Sequence, residues 1–347
     1  MSILRKSSTP KYLSKHSAKS NLLLFAFLGI LLLVTLVFSV LLGSSDIDAI
    51  KTLLAPFSAD KTSPEYRIIF YVRLPRAIAS LLCGSALAVS GVIIQAVLNN
   101  AMASPGVIGV NAGAGLAAAL VTALVPSAVF LMPPAAFIGA LTACLMIYTI
   151  ASKSGASRIT VTLAGLTVSS ILTAGINTIK TLFPNSVYNL TTFSVGGLSG
   201  VNYTVLKYTF PLILVCMILC ILFAKDIDVL SLGEETASSL GLRVSRLRFF
   251  LLILASILAG CAVCIAGLIG FVGLIIPHNV RRITSSKHTI LIPASAFCGA
   301  ELVLLCDILS RILFKPYEIP VGILLSFIGG FFFLALILTK RSSKLYD

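Results

Sequence analysis

Four groups of residues in this chain have types and spacings with chemical meaning. Arg73 and Arg76, in RLPR, precede a long apolar run, and Arg311, in ILSRILFKPYEIPVG, follows another. A guanidinium is a planar fork that can hold a carboxylate or phosphate through two parallel hydrogen bonds, so these are candidate anion receptors. Glu301 and Asp307 are acids inside an apolar run, where an ionisable group is a functional candidate by default. They lie about 600° apart around a helix and do not share a face. Asp307 and Arg311 form an i,i+4 pair. Thr162, Ser169, Thr173 and Asn177 recur at helical spacing, with Thr167 and Ser170 beside them. Such a weakly polar stripe serves either helix-to-helix hydrogen bonds or the lining of a pathway. The fourth group lies in KDIDVLSLGEETASSLGLRVSRLR, residues 225–248, the longest polar stretch between the later apolar runs.

Other chemistries are excluded. No GxxxxGK[ST] occurs, so the chain has no phosphate-cradling loop of its own. No GxSxG or HExxH appears, and the three histidines lie far apart, which argues against an enzyme. Cys261 and Cys264 form a CxxC, but it sits within an apolar run and lacks a partner cluster at zinc spacing, so it reads as helix packing. The net charge of +14 would suggest nucleic acid in a soluble chain. Here no basic stripe with interleaved aromatics exists, and basic loops flanking membrane spans account for the charge.

The elements that must position these groups are membrane helices. Of 347 residues, 58% are hydrophobic and only 11% charged, with mean hydropathy +1.05. That apolar surface is enough for about ten spans of about 20 residues. They fall near 21–43, 75–98, 105–125, 128–151, 159–183, 205–224, 246–267, 270–281, 290–312 and 319–339. The reading is one all-α polytopic domain over 1–347, with a basic tail at 1–20 and a polar loop at 225–248. The apolar run after that tail is too long for a signal peptide and is expected to be retained. With both termini in the cytoplasm of a bacterial plasma membrane, 17 of the 26 Lys and Arg fall inside and nine outside.

Two features of the pattern point to transport. Ala266 to Arg282, AGLIGFVGLIIPHNVRR, is broken by Gly267, Gly270 and Gly273 and closed by Pro277, His278 and two arginines. The piece after Gly270 is too short to span about 30 Å, and broken segments persist at membrane depth only where protein or a cavity shields them. Second, Ser80–Ile93 (SLLCGSALAVSGVI) and Ser256–Ile269 (SILAGCAVCIAGLI) share six of 14 positions, including Gly84/Gly260 and Gly91/Gly267. In the proposed topology these runs cross in opposite directions, so the echo implies an inverted repeat of segments 2–5 and 7–10.

These stretches resemble the FecCD/BtuC family, the permease subunits of type II ATP-binding-cassette importers for siderophores, haem and cobalamin. The resemblance covers the chain from about Arg73 onward. It is carried by RLPR, by the glutamine Gln95, by Pro105, Gly109 and Gly113, by Gly233, Glu234, Ala237, Leu240 and Gly241 (G-E-x-x-A-x-x-L-G), and by Gly270, Gly273, Pro277 and His278. It implies that residues 233–241 insert into a cytoplasmic ATPase, which alone would hold ATP and magnesium. This chain itself would bind no cofactor or metal. It implies that Arg73, Arg76 and Arg311 receive acidic residues of an external substrate-binding protein. It also implies that a second permease subunit, identical or related, completes the pathway along the 159–183 segment. Gln95, Asn99 and Asn100 would lie near the inner gate. The chain departs from the family at Asn100–Ala103, which reads NAMA rather than NPLA, and it contains no tryptophan. Two other classes stay open: an ion-coupled secondary transporter working through Glu301 and Asp307, and a scaffold that holds a cytoplasmic partner on the 225–248 loop.

Overall fold

The computed structural model describes residues 18–43, 63–153, 158–184 and 187–343. Most of the basic tail and the stretch from residue 44 to 62 lie outside the described residues, and so does the tail's expected placement. The described chain is all-helical. In order, α1 is Ala18–Leu41, α2 Pro64–Ile68, α3 Leu74–Val97, α4 Val110–Leu124, α5 Met132–Lys153, α6 Arg158–Leu182 and α7 Val187–Val195. Then follow α8 Tyr203–Leu222, α9 Ala224–Ser231, α10 Glu234–Ser239, α11 Val244–Ala266, α12 Val272–Ile283, α13 His288–Ile312 and α14 Val321–Ser343. Every one of the ten expected segments coincides with a helix. Among the described residues seven are long and apolar enough to cross a membrane, while the apolar helices at Val110–Leu124 and Val321–Leu336 are shorter. The eighth segment, α12, has only 12 residues.

The helices α3 and α11 form the centre. Their apolar windows are 78% and 72% buried, against 11% for α1 and 17% for α6, which lie at the rim. They run antiparallel: Cys83 Sγ reaches the carbonyl of Ala262 at 3.8 Å and Ser90 Oγ that of Ala255 at 2.7 Å. Around this pair the packing is paired as well. α3 packs on α13 as α11 packs on α5, α3 meets α12 as α11 meets α4, and α4–α5 matches α12–α13. That is the pattern of two four-helix units related by inversion, α3–α6 and α11–α14.

Glycine makes the close crossings possible. A Cβ on Gly84 would lie 2.1 Å from the carbonyl oxygen of Gly299, and one on Gly113 would lie 2.2 Å from that of Gly139. Without a strong hydrophobic drive between helices in lipid, such backbone-to-backbone contact supplies the van der Waals packing that holds them. Gly260, the echo partner of Gly84, likewise faces α5 through Phe137 and Ala140.

Between α11 and α12 the chain breaks, as its glycines predict. Gly267 has φ +70 and Phe271 φ +66. The freed backbone groups are taken up by protein: Leu268 N donates to the Phe193 carbonyl at 3.0 Å and Gly197 N to the Ala266 carbonyl at 2.8 Å. Gly322 N donates to the Gly196 carbonyl, so the end of α7, this break and the start of α14 meet at one junction.

Candidate functional site

At one end of the bundle α9 and α10 form the polar unit expected at 225–248. The two short helices join at Gly233, and Gly241 links α10 to α11. Both glycines hold positive φ, +115 and +86, which a side chain would strain. On α9 the stripe Ala224, Ile227 and Leu230 is buried. α10 is outermost: Ala237 is its one buried residue, whereas Glu234, Leu240 and Gly241 are exposed. Leu232 and Leu240 are large apolar side chains left 65% and 63% exposed there. Ala237 therefore holds α10 to the bundle rather than forming the outer face of a knob.

A hydrogen-bonded Asp–His contact and an ion pair fasten this unit. Asp228 accepts from the His288 backbone N–H at 2.9 Å and lies 2.6 Å from His288 Nδ1, at the first residue of α13. Glu234 accepts from Arg248 of α11 at 3.2 Å. Neither Asp228 nor His288 stood out in the sequence, because their 60-residue separation hides the contact.

Gln95, near the end of α3, is 2% exposed. Its Nε2 donates to the Gly273 carbonyl at 3.2 Å, and its Oε1 accepts from Arg281. It thus ties α3 to both ends of α12, with its amide bonded inside the bundle. Asn99 and Asn100 are exposed in the turn that follows, with Asn99 at φ 42, a conformation asparagine tolerates. Pro105 opens a 3₁₀ turn, Gly109 follows at φ +74, and Gly113 sits against α5. Beyond Gly270, Pro277 is buried in α12, and the His278 ring meets Phe332 edge-on at 6.0 Å.

At the other end of the bundle the three arginines are not on the surface. Arg73, Arg76 and Arg311 are 3%, 6% and 2% exposed. Arg76 pairs with Asp307 at 2.9 Å and Glu318 at 2.7 Å. Arg311 pairs with Asp307 at 2.9 Å and donates to the carbonyls of Ser39 and Leu42. Arg73 donates to the carbonyls of Val40 and Leu41. The expectation that they offer open forks to an outside partner is corrected. A buried guanidinium requires partners, and these have found theirs in α13, in Glu318 and at the C-terminal carbonyls of α1. The other acid, Glu301, accepts from Thr35 of α1 at 2.7 Å.

Along α6, Ile159, Leu163, Leu166 and Ile171 are 58–73% exposed, with Ser170, Thr173 and Asn177 among them. The hydroxyls of Thr167, Ser170 and Thr173 each donate to the carbonyl four residues earlier. The three hydroxyls thus spend their protons within the helix and offer oxygen lone pairs outward, while Asn177 exposes an amide. Thr162 and Ser169 are half-buried, and Ser169 turns toward Gly109 instead of joining the exposed stripe. Beside the junction of α7, α11 and α14 lies an open groove of about 420 Å³, lined by Ser194, Leu268, Ser326 and Phe327 among others. Those residues carry no signal in the sequence, since three separate breaks bring them together.

Residues 31–339 match the FecCD transport family. The chain is 39% identical over 323 residues to the Fe(3+)-citrate import system permease protein YfmE of Bacillus subtilis (strain 168), covering 92% of this chain and 96% of that one. It is 33% identical over 328 residues to the hemin transport system permease protein HmuU of Yersinia pestis, covering 91% and 96%. A solved inward-facing ABC transporter of metal-chelate type superposes with TM-score 0.80 at 28% identity, over 91% of this chain and 99% of that chain.

Proposed function

Because the chain belongs to the FecCD transport family, we propose that it moves an iron(III) chelate through a pathway completed by a second permease subunit. It is a permease subunit of an ATP-binding-cassette importer and a multi-pass membrane protein. A cytoplasmic ATPase pair seats on α10, and ATP and magnesium belong to that partner. A substrate-binding protein delivers the chelate at the opposite, arginine-rich end. Both termini and the α9–α10 unit face the cytoplasm, in keeping with the charge bias of the loops. The exposed face of α6 and the groove beside α7 and α14 line the pathway. Their weak polarity suits a bulky chelate that must not bind tightly, whereas a bare ion would need rings of charge or carbonyls. The relatives named for iron citrate and haem import support this cargo class.

The observation that carries the reading is the α9–α10 unit, a tethered projection that leaves Leu232 and Leu240 exposed at one end of the bundle. On an otherwise polar unit, such exposed apolar side chains mark a protein contact. Ion coupling through the two acids is disfavoured, since Asp307 is held by two arginines and Glu301 by Thr35. The test is Leu240→Asp in the tagged chain, purified gently from its membrane. An ATPase that co-purifies with the native chain should be lost or fall about tenfold, the scale of a buried interface anchor, while membrane insertion is unchanged. Equal recovery from both chains would refute the assignment.

A further inference from the structure

The α9–α10 unit and the arginine cluster lie at opposite ends of the bundle, and α13 touches both. Its first residue, His288, is held by Asp228 of α9, and near its last turn Asp307 holds Arg76 and Arg311. Its 25 residues make a rod about 37 Å long. Pro293 removes one backbone hydrogen bond in its second turn, and beyond it the helix packs backbone to backbone on α3 at Gly84 and Gly299, which leaves that longer part little room to bend on its own.

We propose that Asp228 and His288 form the joint that carries movement of the α9–α10 unit into α13, and through α13 to the arginine cluster. The inference rests on the reading that an ATPase seats on α10. Three observations single out this contact. Asp228 accepts two bonds from one residue, the backbone N–H and the ring Nδ1, so both the position and the orientation of His288 are fixed. The His288 side chain is 5% exposed and Asp228's 33%, so water competes weakly for the bond. Asp228 also sits at the N-terminal end of α13, where the helix dipole favours a negative charge. The second tether, Glu234 to Arg248, is weaker in these respects: its acid is 57% exposed and the bond is 3.2 Å long. Asp228 and His288 are positioning residues, acting on the pathway through α13 rather than touching cargo.

The experiment uses the whole complex: the chain with its co-purifying ATPase in liposomes, supplied with the binding protein and radiolabelled iron(III) citrate, or haem where citrate is not taken up. Hydrolysis and uptake are both measured, and their ratio is the readout. Asp228→Ala is expected to keep hydrolysis within about twofold while uptake per ATP falls about tenfold, within the usual range of coupling between sites. Asp228→Asn, whose amide oxygen can still accept both donors, should restore most of the ratio. An unchanged ratio in Asp228→Ala would overturn the proposal. So would a parallel loss of hydrolysis and uptake, or loss of the bound ATPase, because a merely structural contact behaves that way. A native chain that binds no ATPase would instead sink the docking reading, and the joint with it.

Discussion

Asp307→Ala tests the reassignment of the arginine cluster from a docking surface to a buried clamp. Five charged groups meet there: Arg73, Arg76 and Arg311 against Asp307 and Glu318. Their formal sum is +1, and removing Asp307 makes it +2. Arg76 would keep Glu318, and Arg311 would keep the carbonyls of Ser39 and Leu42. Both would nonetheless lose their one shared, fully buried carboxylate, since Asp307 is 0% exposed. Removing one partner of a buried pair costs about 3–5 kcal/mol, or roughly two to three and a half orders of magnitude in the folding equilibrium. Glu318 provides the contrast. Its side chain is 30% exposed, so Glu318→Ala should cost only about 1 kcal/mol or less. The assay is thermal unfolding in detergent, read with a thiol-reactive dye. All eight cysteines are free and six are buried, so the dye reports opening of the bundle directly. Asp307→Ala should unfold far below the native midpoint and Glu318→Ala close to it. Equal midpoints for all three proteins would refute the clamp. Unchanged midpoints with lost affinity for the binding protein would restore the docking role.

Gly84→Ala forces a Cβ to within 2.1 Å of the Gly299 carbonyl and should destabilise by about 1–3 kcal/mol in the same assay. Gly330→Ala, where nothing lies within 4 Å, should be neutral or slightly stabilising, since alanine favours the helix. Gln95→Leu keeps the bulk but leaves Arg281 without its acceptor. It should lower stability by about 1–3 kcal/mol and reduce uptake, and native-like values of both would show that the α3–α12 tie is dispensable.

Composition and spacing determined the class of this protein. An 11% charged chain with apolar runs of span length has no soluble fold available to it, and every expected segment coincides with a helix. The break after Gly267 was legible because glycine at positive φ is a local property, and so was the Asp307–Arg311 pair, which follows from helical spacing alone. The echo of Ser80–Ile93 in Ser256–Ile269 anticipated the inverted packing of α3–α6 and α11–α14.

What a side chain faces was decided only by the tertiary structure. Arg73, Arg76 and Arg311 carry the residue type of an anion receptor, yet they are buried because acids and carbonyls up to 272 residues away close around them. Gln95 has the polarity of a gate and serves as a brace. Asp228 and His288 have no motif, and the groove at Ser194 and Ser326 exists only where three chain breaks converge. Periodicity reports the local helix and its apolar content, which short-range sterics and burial set. Partners across helices depend on register and crossing angle, and those are fixed by where small residues let two backbones touch.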